Sequence, residues 1–439
     1  MNGLSWFSIV RLGLVQTALG AVVVLTTSTI NRVMIVELHL LAVLPGVLVA
    51  WHYALQVLRP RWGHGSDSGG TRTRWIIGGM AILALGGFLA AAATALSASS
   101  VFAGVLLAIV AFTLIGIGVG AAGTSLLVLL AEAVAPARRA AAATAVWIMM
   151  IAGFIVTTAL AGKFLDPFSV QRLVVVAGCV TALAFVLAVV AVLGVERGAK
   201  KFQTEKSRDA TPFMQALSEV WQDADARRFA LFIFISMLAY SAQDLILEPF
   251  AGFVFAFTPG QSTALTSVQN SGVLSGMILV GVAATVFARN GKMVLRNWIV
   301  IGCLASALSL SALVGAAAVG PAWPLKPTVF ALGFSNGMYA VAAIGSMFSF
   351  AAGAASREGV RMGLFGASQA IAFGAGGFVG TALTDVIKVV TQSNALSYGT
   401  VFGLEAALFI LAAVMALRLG VRNTAENPMV LAAQQDLGV

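Results

Sequence analysis

The chain has 439 residues, of which 59% are hydrophobic and only 10% charged, a balance that excludes an ordinary soluble globular protein. Lysine and arginine outnumber aspartate and glutamate by 26 to 17, giving a formal charge of +9. In so apolar a chain that excess fits loops facing anionic headgroups and needs no nucleic acid.

A membrane-crossing helix takes about 20 apolar residues. Windows of that kind fall near 9–30, 41–59, 75–97, 101–131, 140–162, 172–194, 228–257, 264–288, 297–318, 325–352, 363–388 and 399–419. The longer windows exceed the bilayer's need and predict tilt or extension beyond it. The expected fold is therefore an all-α membrane protein with twelve transmembrane helices in two six-helix pseudo-repeats. Its expected divisions are an N-terminal half (1–195), a cytoplasmic linker (196–227), a C-terminal half (228–421) and a cytoplasmic tail (422–439).

The first span has no basic leader and runs into an ordered polar motif, so a cleavable signal peptide is not expected. That motif is Asn31-Arg32-Val33-Met34-Ile35-Val36-Glu37-Leu38. Charges at membrane depth are costly unless paired and are commonly functional. The second span carries His52 between Trp51 and Tyr53, while His39 and His64 fall at span ends or in loops. Next comes Gly63-His64-Gly65-Ser66-Asp67-Ser68-Gly69-Gly70-Thr71-Arg72, which resembles the loop motif of major-facilitator transporters through Gly63, Asp67, Gly70 and Arg72. Thr71 departs from it where a basic residue is usual. Glycine permits the tight turn, and Asp67 is expected to pair with an arginine or a helix N-terminus. Gly116, Gly120 and Gly123 give the fourth span a small-residue face suited to close helix contact. Arg138 and Arg139 precede the fifth.

In the linker, Thr211, Pro212 and the apolar series Phe213, Leu217, Val220 and Trp221 predict a short helix along the membrane surface. The seventh span ends in Gln243-Asp244-Leu245-Ile246-Leu247-Glu248-Pro249-Phe250. Superposing Glu248 on Glu37 sets Gln243 opposite Arg32, so the two halves carry matching polar motifs. Ala152-Gly153-Phe154-Ile155-Val156 and Gly376-Gly377-Phe378-Val379-Gly380 add a weaker repeat. Parallel six-span repeats are how major-facilitator transporters are built, with the working cavity between the halves. Cys179 and Cys303 lie inside separate spans and read as packing residues.

The cationic residues set an orientation. With both termini cytoplasmic, only Arg32, Lys163, Arg172, Lys326 and Lys388 fall on the outside. On that side Asn31, Arg32, Glu37, Gln243, Asp244 and Glu248 are candidates for an outer gate, with Arg32 expected to contact Asp244 or Glu248. On the inside Gly63, Asp67, Gly70, Arg72, Arg138 and Arg139 are candidates for an inner latch. Trp6, Trp62, Trp75, Trp221 and Trp298 fall near cytoplasmic interfaces, as belt residues do.

Taken together, Asn31 to Leu38, Gly65-Ser66-Asp67 and Gln243-Asp244-x-x-x-Glu248-Pro249 resemble the PucC/LhaA family of purple phototrophs, over essentially the whole chain. The stretch from Gly70 to Met80 looks closer to the family's bacteriochlorophyll synthase accessory-chain branch. The resemblance implies bacteriochlorophyll, or a late precursor, as cargo or ligand. It also implies partnership with light-harvesting apoproteins or the terminal bacteriochlorophyll synthase, in a bacterial inner (intracytoplasmic, photosynthetic) membrane. For such a ligand His52 is the candidate binding residue, since neutral imidazole can ligate magnesium. No separate metal site is expected.

Two other classes stay open on the residues. A proton-coupled transporter of a small lipophilic solute rests on the fold alone. An enzyme handling a diphosphate needs clustered aspartates for magnesium. Only Asp223-x-Asp225 qualifies, and there is no phosphate loop. The sequence therefore reads as a non-catalytic carrier or assembly factor.

Overall fold

The computed structural model describes residues 4–56, 71–135, 138–196, 218, 221–288, 295–352 and 358–418. Among the described residues there are twelve principal helices. They are α1 (Trp6–Glu37), α2 (Val43–Leu55), α3 (Arg72–Ser97), α4 (Val101–Ala133), α5 (Arg139–Leu165) and α6 (Val170–Val192). Then follow α7 (Ala224–Phe255), α8 (Pro259–Ala288), α9 (Leu295–Val319), α10 (Leu325–Ala352), α11 (Glu358–Thr391) and α12 (Asn394–Leu417). Eleven are long and apolar enough to cross a membrane. The exception, α2, has 13 residues, and the rest of its expected window runs past Gln56 into residues outside the description. The fold is that of a multi-pass helical membrane protein. Of the expected linker, 196–227, most also lies outside the described residues.

Serine hydroxyls start several helices, each accepting an orphan amide of the first turn. Ser5 caps α1 and Ser169 caps α6, at 3.2 and 3.1 Å. The α1 helix is not uniform. Leu25–Ile30 and Val33–Glu37 are π-helical, a departure from α geometry that often marks functional sites. Hydroxyls contribute here, since Thr26 and Thr27 both donate to the Val23 carbonyl and compete with the backbone ladder.

The chain forms two compact units. The first comprises Met1–Thr204, Asp244–Asn270 and Gly377–Ala395; the second comprises Glu205–Gln243, Ser271–Gly376 and Leu396–Val439. In the first, α1 packs on α5 and α6, α3 on α4 and α6, and α2 on α4. A Cβ on Gly79 would stand 2.6 Å from the Ala122 amide nitrogen, and one on Gly118 the same distance from that of Leu83. Here α3 and α4 touch backbone to backbone, as small residues allow. Gly116 instead faces α2, where its Cβ would meet the His52 carbonyl at 2.9 Å. In the second unit α9 packs on α10. Tyr339 donates to Ser236 at 2.6 Å and stands edge-on to Phe232 and Phe409.

Candidate functional site

The polar residues of α1 and the end of α7 meet inside the first unit. Arg32 is only 1% exposed. Its Nη1 pairs with Glu37 Oε1 at 2.5 Å and its Nη2 donates to the Phe257 carbonyl at 2.7 Å. Glu248 interacts with Arg32 through charge, without a direct contact. Among the described residues the close ion pair Arg32 makes is with Glu37, in place of the expected Asp244 or Glu248. The cause is the local helix geometry. At 3.6 residues per turn, side chains five apart diverge by about 140°. The π turn Val33–Glu37, closed by the bond from the Leu38 amide to the Val33 carbonyl, lets Glu37 come over Arg32.

Glu248, 2% exposed, accepts at Oε1 from Ser28 at 2.6 Å and from Thr266. Thr29 and Thr263 join at 3.0 Å beside them. Asn31 donates to the Leu245 carbonyl at 2.7 Å. That carbonyl would normally receive the amide of residue 249, but Pro249 has none. The asparagine therefore replaces the missing helical donor across the helix contact. Asp244 is half-buried, and no hydrogen bond or ion pair reaches it among the described residues. Gln243, in the second unit, is fully buried and donates to the Tyr240 carbonyl at 3.0 Å.

Two carboxylates that sequence reasoning did not single out complete this end. Asp385 of α11 accepts from the backbone amides of Ala42 and Val43, at 3.1 and 2.7 Å, and so caps α2. Asp166, just past α5, accepts from Thr258 Oγ1 at 2.6 Å and from the Gly260 amide at 3.2 Å, at the start of α8. Both place negative charge where the helix dipole favours it. The crossings beneath are tight. A Cβ on Gly46 would meet Thr381, and one on Gly162 would lie 2.7 Å from the Gly260 carbonyl. The α8 start had a legible signal, because Thr258-Pro259-Gly260-Gln261 is a reciprocal capping box. The Thr258 amide donates to Gln261 at 3.1 Å and the Gln261 amide to Thr258 at 3.2 Å. Asp385 had no such signal.

His52 is 2% exposed, with Nδ1 2.7 Å from the Val49 carbonyl and its ring 4.1 Å from that of Tyr53. No group of three or more metal-ligating side chains occurs among the described residues. His39 takes a left-handed backbone (φ 54°) where α1 turns toward α2. Of the inner-latch candidates, Gly63, Asp67 and Gly70 lie outside the described residues. Arg72 is buried, pairs with Glu132 at 2.7 Å, and starts a helix whose first amides, Arg72 and Thr73, bond Glu196. Arg138 donates to the Leu4 carbonyl and Arg139 to that of Val134.

A family model described as PUCC protein matches residues 29–424. The bacteriochlorophyll synthase 44.5 kDa chain of Rhodobacter capsulatus is 50% identical, over 98% of this chain and 100% of that protein. Protein PucC of Cereibacter sphaeroides is 26% identical over 94% and 91%. Among solved structures, a D-xylose–proton symporter superposes with a TM-score of 0.67 at 15% identity, covering 95% of this chain and 98% of that one. A proton-dependent oligopeptide transporter gives 0.69 at 13%, covering 94% and 98%. At these identities the structural likeness establishes the fold alone, which is the major-facilitator fold. With its family model spanning most of the sequence and a half-identical relative matching end to end, the chain belongs to the PUCC protein family.

Proposed function

We propose that this protein is a non-catalytic carrier of bacteriochlorophyll or a late precursor, serving light-harvesting or reaction-centre complex assembly in a phototrophic bacterial membrane. The observation that carries the reading is the end-to-end 50% identity to a chain named for bacteriochlorophyll synthesis, on a transporter fold. A role beside a synthase, rather than as its catalyst, is supported by the acid pair Asp223 and Asp225. It sits at the exposed start of α7, where Asp225 already faces Arg228 at 3.5 Å. The terminal synthase and light-harvesting apoproteins are the proposed partners.

In this reading both termini are cytoplasmic, following the arginine and lysine distribution. The Arg32 end is then the outer gate, held by Arg32, Glu37, Asn31 and Glu248 and seconded by Asp166 and Asp385. Gln243 and Asp244 belong to the same end. Arg72, Arg138 and Arg139, with Gly63, Asp67 and Gly70, form the inner latch. His52 is the proposed pigment-facing residue. A second reading, a proton-coupled carrier of a small lipophilic solute, draws on the two acids Asp244 and Glu248 within α7.

The test is an absorption spectrum and pigment extraction on the full chain purified in mild detergent from a pigment-producing host. Stoichiometric bacteriochlorophyll, lowered by His52→Ala, is the expected result. Reproducibly colourless protein overturns the carrier reading and favours the small-solute one.

A further inference from the structure

Away from the polar end, the surface of α3 and α4 carries an open groove of about 250 Å³, lined by Arg74, Trp75, Gly78, Gly79, Ile82, Ile117 and Ala121. Its existence follows from residue size. Gly79 brings α3 onto α4, while Gly78 is exposed, with open space where a Cβ would stand. Any larger residue at 78 would fill the slot. Along α3 the groove runs from Arg74 to Ile82, about 12 Å at 1.5 Å per residue. Apart from Arg74 at its mouth, it is apolar throughout.

The groove is open along its length and its lining is almost wholly apolar, which suits a length of hydrocarbon chain lying between the two helices. At the mouth, Arg74 is exposed and has no ionic partner among the described residues, whereas its neighbour Arg72 is buried against Glu132. Arg74 and Trp75 lie in the first turn of α3, where a membrane helix meets the headgroups and where an indole settles. We infer that the α3–α4 groove binds one acyl chain of an anionic phospholipid, with the headgroup phosphate on Arg74. The site is independent of the pigment reading and of the Arg32 end.

Native mass spectrometry of the full chain, titrated with phosphatidylglycerol and with phosphatidylcholine, tests this. Wild type should retain one phosphatidylglycerol in preference to phosphatidylcholine. Gly78→Leu should abolish that adduct. Arg74→Gln should remove the headgroup preference, a loss of about fivefold for one arginine at the surface. Gly281→Leu, at another glycine with nothing within 4 Å of a Cβ, should leave binding unchanged. Equal retention by wild type and Gly78→Leu overturns the proposal, as does a preference that survives Arg74→Gln. If Gly78→Leu instead breaks a dimer without changing lipid adducts, the groove is a contact between copies of the chain and the lipid assignment falls.

Discussion

Asn31 shows how one side chain can depend on another's missing atom. The Leu245 carbonyl is left open by Pro249, and leaving a buried carbonyl unpaired costs about 1–3 kcal/mol. Asn31→Ala should therefore destabilise the protein by about that amount in a thermal-unfolding assay. Pro249→Ala restores an amide at 249, so Asn31→Ala should cost clearly less in that background. An unchanged cost would mean that the asparagine acts elsewhere. Arg32 and Glu37 make a second comparison, because their burial differs: the side chains are 2% and 32% exposed. Glu37→Gln leaves a buried guanidinium without its counter-ion, a change that can cost about 3–5 kcal/mol. Arg32→Met keeps an apolar stem in the space and leaves a carboxylate that is partly open. The glutamine variant should melt lower than the methionine variant; the opposite order would show that Arg32 contributes chiefly through its bond to the Phe257 carbonyl.

The residues of this site were visible in the sequence, since an Asn, an Arg and two Glu in apolar runs stand out. Their pairing was not. It depends on a π-helical register that a 3.6-residue period cannot express, so Arg32 was matched across to α7 when its ion partner lay five residues ahead.

At the scale of elements, the capping carboxylates act locally. Asp385 serves the first turn of α2 and Asp166 that of α8. Asparagine keeps one of the two acceptor oxygens and loses the charge, so Asp166→Asn and Asp385→Asn should each lose part of a cap typically worth about 1 kcal/mol and should each fold. Hydrogen exchange separates them. Asp166→Asn should speed exchange near residues 260–264 and leave 42–46 unchanged, and Asp385→Asn should do the reverse. Acceleration at both places in either variant would show that the two contacts open as one. Sequence reading missed both acids because hydropathy windows locate apolar runs and ignore what closes their ends. It set the eighth span at 264, whereas the capping box starts α8 at Pro259.

For the whole molecule, eleven of the twelve windows fall on helices long and apolar enough to cross a membrane, and the window 41–59 falls on α2, of which 13 residues are described. Burial in a bilayer demands long apolar runs, and little else imitates them. The first span was cut short at its far end: the polar Asn31-to-Glu37 stretch reads as an ending, but α1 continues through it on hydrogen bonds that hydropathy does not record. If the Arg32 end governs pigment handling as proposed, Asp166→Asn and Asp385→Asn should also lower the bacteriochlorophyll recovered with the full chain, at unchanged expression. Undiminished recovery would leave that end a purely structural joint.

The Asp385 cap also bears on how the chain is made. The acceptor for the Val43 amide arrives 342 residues after its donor. At synthesis rates of about 5–20 residues per second, that is a delay of roughly 20–70 s. Throughout that interval α2 must sit in or beside the bilayer with its leading amides answered by water, lipid headgroups or the insertion machinery. The nascent N-terminal portion is thus incomplete until α11 emerges, and synthesis halted before that helix would leave a chain whose second helix starts without its carboxylate cap.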